Sequence, residues 1–352
     1  MSANKAESTR TATRSDRGVV AMDVARAAGV SQKTVSRVVN GDPHVSAAVQ
    51  ERVREVIATL GYRPNRAARN LVLGRTRTIG LLSVGTTDYG PSALMVGTEV
   101  AVRRAGYSLL VVNTIEEDES LISAALADLV DQGVDGIVIN EPVGSFTLPT
   151  DLVGDRPVLS LSGHYGISTS EIALDADQPS GGRIATQHLL DLGHRTVHHV
   201  AGPSTFRSAA LRTIGWRDTL VAAGREVPDV RYGDWTSRSG HAVGAELAAD
   251  PTVTAIFSAN DQMGIGVMRA LAEAGRRVPE DVSVVGFDDI PEAAYLARAL
   301  TTVRQDFVGM AGHGVARLVE AIETPRRQDI TESYPISLVE RETTAPPPPR
   351  GI

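Results

Sequence analysis

The chain contains no cysteine in 352 residues. That excludes disulfides, Cys-ligated zinc and thiol catalysis, and it agrees with an expected cytoplasmic location. No run of about 18 apolar residues occurs, so no membrane span is expected. The opening residues, MSANKAESTRTATRSDRG, have no apolar core segment. They read as a disordered basic arm (1–18) rather than a signal peptide. Enzyme signatures are missing as well: GxxxxGK[ST], GxSxG, GxGxxG after a strand, and HExxH. The histidines suggest no metal or catalytic group, since His198 and His199 open an apparent strand while His188 and His194 flank a helix end. No metal, cofactor or enzymatic activity is expected.

The formal charge of −7 hides a strong asymmetry. Residues 1–78 hold 14 Lys and Arg against 6 Asp and Glu, a net of +8, and the remainder carries 21 against 36, a net of −15. A polyanion is attracted to the first part and repelled by the second. Neutralising phosphates with Lys and Arg supplies the sequence-independent part of DNA affinity.

Within the basic head, VSQKTVSRVVNGDPHVS has a readable grammar. Ser31 suits a helix N-cap, and Val35, Val38 and Val39 fall on one face. Gln32, Lys33, Ser36 and Arg37 then point outward, and Asn40-Gly41 ends the helix. Upstream, AMDVARAAGVS reads as a second short helix ending at Gly29. Two helices joined by a Gly-containing turn have the spacing of a helix-turn-helix, whose second helix enters the DNA major groove. A generic pair of small helices with a solvated face remains the alternative. Val49, Val53, Val56, Ile57 and Leu60 mark a third helix, with Pro64 as its expected stop. Together these give a DNA-binding head over 19–63 and a basic linker over 64–77.

From Thr78 short apolar strands alternate with helical stretches: TIGLLSV, SLLVVNT, GIVIN and VLSLS, then HHVAG, AIFSAN and VSVVGFDD. Alternation of this kind predicts parallel sheets with helices on both faces, here in two groups parting near Ala176. Ligands of such sheets sit beyond the carboxyl ends of the strands. Those ends carry Asn140, Ser162, Asn260-Asp261 and Asp288-Asp289, and Arg212 and Trp235 fall in expected loop or helix-start positions. An aromatic face with Asp, Asn and Arg suits a sugar, whose C–H face packs on Trp while its hydroxyls take hydrogen bonds. The competing reading is that the strand-end Asp and Asn merely cap helices.

The motifs DVARAAGVSQKTVSRVVNGDPHVS, GYRPNRAARNL, AGPSTFRSAALRTIGW, SANDQMGIGVMRAL, VSVVGFDD, LTTVRQDF and LVERETT, spread over about Val20 to Thr344, resemble the LacI family of transcriptional regulators. The resemblance implies an all-α helix-turn-helix headpiece and an α/β periplasmic-binding-protein-like domain of two doubly wound parallel-sheet lobes. The lobes would cover about 78–176 plus 306–335, and 177–305 plus 336–344, joined by three crossings. It implies Gln32, Lys33 and Arg37 at base edges, with Ser31, Thr34, Ser36 and Asn40 on the DNA backbone and His44 nearby. The linker, with Asn65 and Arg66, would become a helix on operator DNA and wedge Leu71 into the minor groove. A small sugar effector, a galactoside among the options, would contact Pro91, Asn140, Arg212, Trp235, Asn260, Asp288, Gln305 and Phe307. Two departures, Asp88 at an apolar family position and Ser162 at a carboxylate position, would shift an acceptor across the cleft. The partners implied are double-stranded operator DNA, the sugar and a second copy of the chain. The Pro-rich end, expected as a disordered tail over 345–352, has no heptads for a coiled coil.

Two other functions share parts of this pattern. A solute-binding component of a sugar transporter needs a signal peptide or lipidated Cys. A sugar-converting enzyme needs a base or nucleophile, which Asp288 beside Arg212 only imitates.

Overall fold

The structure is a computed structural model and describes residues 19–39, 41–63, 75–84, 88–114, 119–140, 150–161, 163, 170–324 and 329–349. It separates into two compact units, Met1–Thr76 and Arg77–Ile352.

The first unit has three described helices, α1 (Ala21–Ala28), α2 (Gln32–Val39) and α3 (Ala47–Leu60). Val24, Ala25 and Ala28 pack with Val35, Val38 and Val53 into a small core. Gly29 ends α1 at φ 65, a left-handed turn that glycine adopts without Cβ strain. Helix α3 stops in the same way at Gly61, φ 63, so glycine and not the expected Pro64 terminates it. Of the expected hinge, residues 64–74 lie outside the described residues, as does the arm 1–18.

The second unit is two sheets flanked by helices. The first sheet contains β1 (Thr78–Val84), β2 (Ser108–Thr114), β3 (Gly136–Asn140), β4 (Val158–Ser160), β5 (Glu171–Ala176) and β11 (Ile330–Tyr334), all parallel, in the order β11-β5-β4-β3-β1-β2. The second runs β12-β10-β9-β8-β6-β7, from β6 (His198–Ala201), β7 (Arg231–Tyr232), β8 (Ala255–Ser258), β9 (Ser283–Asp288), β10 (Thr301–Gln305) and β12 (Ile336–Val339). Only its edge strand β12 is antiparallel, to β10. Helices α4 (Tyr89–Arg104), α5 (Glu119–Asp131) and α6 (Thr150–Val153) pack with the first sheet. Helices α7 (Gln178–Asp191), α8 (Arg207–Ala222), α9 (Ser237–Ala248) and α10 (Asp261–Glu273) pack with the second, and α11 (Phe307–Glu323) returns to the first.

The chain crosses between lobes three times: after β5, after β10, and between β11 and β12. Strands β5, β7, β10, β11 and β12 were not anticipated from the apolar runs. β11 alternates half-buried with exposed positions, β12 has an exposed Ser337 among half-buried residues, and β7 is two exposed residues, so none forms an apolar block. Residues 345–349, expected as a disordered tail, are placed against the second lobe. The Ser283 hydroxyl sits 3.0 Å from the backbone N–H of Ala345 and accepts from it, and Pro347 approaches Gly193.

Candidate functional site

Two surfaces carry the chemistry, one in each unit. In the head, Ser31 Oγ accepts from the Thr34 backbone N–H at 3.1 Å and pairs with Thr34 Oγ1 at 2.9 Å, which fixes the start of α2. With Val35 and Val38 buried, Gln32, Lys33, Ser36 and Arg37 are exposed together, as amphipathic spacing requires. His44 is exposed beyond the helix end, its Nδ1 3.0 Å from Asp42 Oδ1. Amide, ammonium and guanidinium donors on one exposed helix face match the base-edge acceptors of a major groove. Asn40, Asn65, Arg66 and Leu71 lie outside the described residues.

In the second unit a cleft with about 740 Å³ of atom-free space, part of it open to solvent, lies at the strand carboxyl ends of both lobes. Asp88, Pro91, Arg212, Trp235, Asn260, Asp288, Gln305 and Phe307 line it together. Arg212 comes from the middle of α8, not from a loop or helix start. It reaches the cleft because α7 and α8 cross closely: a Cβ on Gly182 would lie 2.2 Å from the Arg212 carbonyl oxygen. Arg212 Nε donates to Gln178 Oε1 at 2.7 Å, Gln178 Nε2 to Gln305 Oε1 at 2.9 Å, and Gln305 Nε2 to Asp288 Oδ1 at 2.7 Å. Arg212 Nη1 also donates to the Ala259 carbonyl, and its guanidinium lies 3.8 Å over the Phe287 ring. These buried groups satisfy one another and need little rearrangement to meet a ligand.

Burial pushes the Asp288 carboxyl up to about 6, against the opposing pull of Arg212 and Gln305. Burial, with Asp234 added, also raises Asp88, whose side chain makes no cap to α4. Asp288 at φ 105 and Trp235 at φ 70 hold a backbone region that side chains rarely adopt, a strain characteristic of binding sites. Trp235 stands edge-on to Phe206 at 5.8 Å, and Tyr89 edge-on to Phe307 at 5.8 Å, giving each side of the cleft an aromatic wall.

Other expected residues lie elsewhere. Asn140 is fully buried behind the wall, where its Nδ2 donates to the Pro91 carbonyl at 2.8 Å and so braces the first turn of α4. Asp261 turns inward and accepts from Thr302 Oγ1 at 2.6 Å and from the Ile290 N–H at 2.9 Å. Asp289 faces Arg304 and Arg341, at 2.6 and 2.5 Å. Asn260 does both jobs considered for it, lining the cleft while its Oδ1 caps α10 through the Met263 N–H. Ser162 lies outside the described residues. His199 is a buried sheet residue, stacked 4.6 Å from Phe257 and held down to about 4 by burial. Sequence reasoning missed Tyr89, Asp175, Gln178, Phe206 and Arg207, which also line the cleft. Asp175 is the last residue but one of β5, so the strand-end rule reaches its neighbourhood once EIALDA is read as a strand. Arg207 Nη1 meets its carboxylate at 2.6 Å.

An exposed donor-bearing helix in one unit and a two-lobed cleft in the other define a ligand-controlled DNA-binding regulator. The pattern of bacterial regulatory proteins of the lacI family matches residues 22–65, and that of the periplasmic binding protein-like domain matches 186–344. The chain is 34% identical over 330 residues to the lactose operon repressor of Escherichia coli (strain K12), covering 94% of this chain and 91% of that one. It is 38% identical over 315 residues to the HTH-type transcriptional regulator CelR of Thermobifida fusca, covering 84% and 89%. The crystal structure of the lac repressor dimer bound to operator and the anti-inducer ONPF superposes with a TM-score of 0.82 at 32% identity, covering 94% of this chain and all of that one. The chain belongs to the LacI family and is a DNA-binding transcriptional repressor under the control of a small ligand.

Proposed function

We propose that the cleft binds a neutral pyranoside and that its occupation lowers the affinity of the head for operator DNA. The observation that carries this reading is the chain Arg212–Gln178–Gln305–Asp288 beside the face of Trp235. It presents fixed donors and acceptors next to an apolar wall, the kind of lining that small-molecule sites combine. Asp288 is balanced by Arg212 and Asp175 by Arg207, while among the described residues Asp88 forms no ion pair. An anionic ligand is repelled by Asp88, whereas sugar hydroxyls can donate to it. Asp288 and Arg212 spend polar atoms on protein amides, which suits binding better than turnover.

In the head, Gln32, Lys33 and Arg37 read base edges, Ser31, Thr34, Ser36 and Asn40 contact the DNA backbone, and His44 lies alongside. The linker with Asn65, Arg66 and Leu71 is the element ordered on operator. The working form is a dimer, as in the operator-bound relative, acting in the cytoplasm where the DNA is. Operator and sugar each weaken the other's binding by the same factor, because the coupling is reciprocal.

A thermal-shift screen with galactosides, glucosides, cellobiose, pentoses and free monosaccharides tests this, since a ligand bound only by the folded state raises its melting temperature. At least one sugar should do so and also release operator from the protein in a gel-shift assay. Failure of every sugar in both measurements sinks the proposal.

A further inference from the structure

An acidic side chain stands against the DNA-reading face of the head. Asp42 follows α2 by three residues and is partly buried between two exposed bases, Arg37 and His44. Its position is fixed at both ends. The Asp42 backbone N–H donates to the Arg37 carbonyl at 3.0 Å, closing the last turn of α2. Asp42 Oδ1 accepts from the His44 backbone N–H at 2.9 Å and faces His44 Nδ1 at 3.0 Å. Oδ2 is thereby aimed back at the helix, where it lies 3.5 Å from Arg37 Nε. The His44 bonds hold the carboxyl below its ordinary range, so it is charged at neutral pH.

A negative charge here opposes phosphate binding, and a neutral acceptor could cap His44 equally well. The geometry gives the charge a use. An arginine paired with a carboxylate through Nε leaves its two terminal nitrogens to point outward, and they form the planar fork that meets O6 and N7 of a guanine. The pairing biases the side chain toward this orientation before DNA arrives, which favours the bidentate base contact over a loose phosphate contact.

We propose that Asp42 is a positioning residue for DNA recognition, holding Arg37 in a base-reading orientation and penalising sequence-independent binding. The proposal rests on the reading of Arg37 as a base contact.

The experiment is a selection from a randomised DNA duplex library, sequenced after binding to the full-length chain, its Asp42→Asn and Asp42→Ser forms, and Arg37→Ala. Asn and Ser keep an acceptor for the His44 N–H, so melting temperatures should stay near that of the parent. Arg37→Ala should erase preference at one base pair. Asp42→Asn and Asp42→Ser should lower preference at that same pair about 3- to 10-fold while affinity for a scrambled duplex rises several-fold, as expected for one less negative charge near phosphates. If both Asp42 variants keep full preference at the pair that Arg37→Ala erases, Asp42 is only a cap and the proposal is overturned while the Arg37 reading stands. If Arg37→Ala itself leaves every preference intact, both fall together.

Discussion

Arg212 Nη2 stands 3.7 Å from Asp288 Oδ1, beyond hydrogen-bond range, yet the two are joined through the side-chain amides of Gln178 and Gln305. The charges belong to α8 and to the end of β9, and the amides to the start of α7 and the end of β10. Four separate chain segments thus meet in one hydrogen-bonded path under the cleft, two of them bordering the crossings between lobes.

This arrangement makes the two charges sensitive to removal. Asp288→Asn leaves the buried guanidinium without its counter-charge and removes an ionised acceptor facing the ligand. Breaking a charged hydrogen-bond partner costs about 1–3 kcal/mol or more, and each 1.4 kcal/mol is tenfold in affinity. Asp288→Asn and Arg212→Ala should each weaken sugar binding at least about tenfold by calorimetry while the folded repressor still retains operator. Normal release of operator by sugar in both variants rules out the assigned site, and loss of folding in both shows that the pair is structural.

The pH dependence of sugar binding follows from the raised carboxyl of Asp288. With its value near 6, the group is ionised above neutrality and protonates as pH falls through 6. Hydroxyls donate to the ionised form, so affinity should be flat from about pH 7 to 8 and decline below 6. Calorimetric titration across that range checks it, and the decline should be smaller in Asp288→Asn, where only the raised carboxyl of Asp88 still faces the ligand. An equal decline in the variant assigns the effect to another group.

Trp235 depends on a glycine beneath it. A Cβ at Gly202 would lie 2.2 Å from Trp235 Cη2, so Gly202→Ala must push the ring off its seat. The other tryptophan, Trp216, is fully buried in the second lobe and donates to the Val197 carbonyl at 2.8 Å. Sugar-induced change in tryptophan fluorescence should therefore come from Trp235, and Gly202→Ala should lose it together with much of the affinity. A full signal from the variant contradicts this placement.

The helices of the head and the strand–helix alternation were legible because their cores are built from apolar residues at regular spacing. Val35 and Val38 face inward as their spacing predicts, and so does the apolar block at β9. Strand-end position found Asp288 and Asn260, but it also named Asp261 and Asp289, whose partners Thr302, Ile290, Arg304 and Arg341 are brought to them by the fold. Asp175 was missed because β5 did not register as a strand. Arg212 was singled out as a loop or helix-start residue, yet its place in mid-helix depends on the close approach of α7, which no local pattern announces.

Asp261 offers a test of stability that needs no ligand. Burial, reinforced by repulsion from Asp288 and Asp289, raises its carboxyl to about 8 from an ordinary 3.8. The folded chain thus binds this proton more tightly than the unfolded chain does. Its contribution to stability is complete below about pH 4 and is lost as pH rises through 8. The buried histidines have lowered values and work in the opposite direction, but only below about 6.5, and Asp288 is ionised above 6. Asp88 and Asp175 are raised too, so Asp261 is reported by the difference in slope between parent and variant from pH 6.5 to 8.5, with a ceiling of about 1.4 kcal/mol per pH unit for one proton. Asn resembles the protonated acid: its oxygen can accept from the Ile290 N–H and its nitrogen can donate to Thr302 Oγ1. Asp261→Asn should consequently flatten the fall in denaturation free energy across this window. An unchanged slope, measured by urea melts at several pH values, shows that the proton resides on another group.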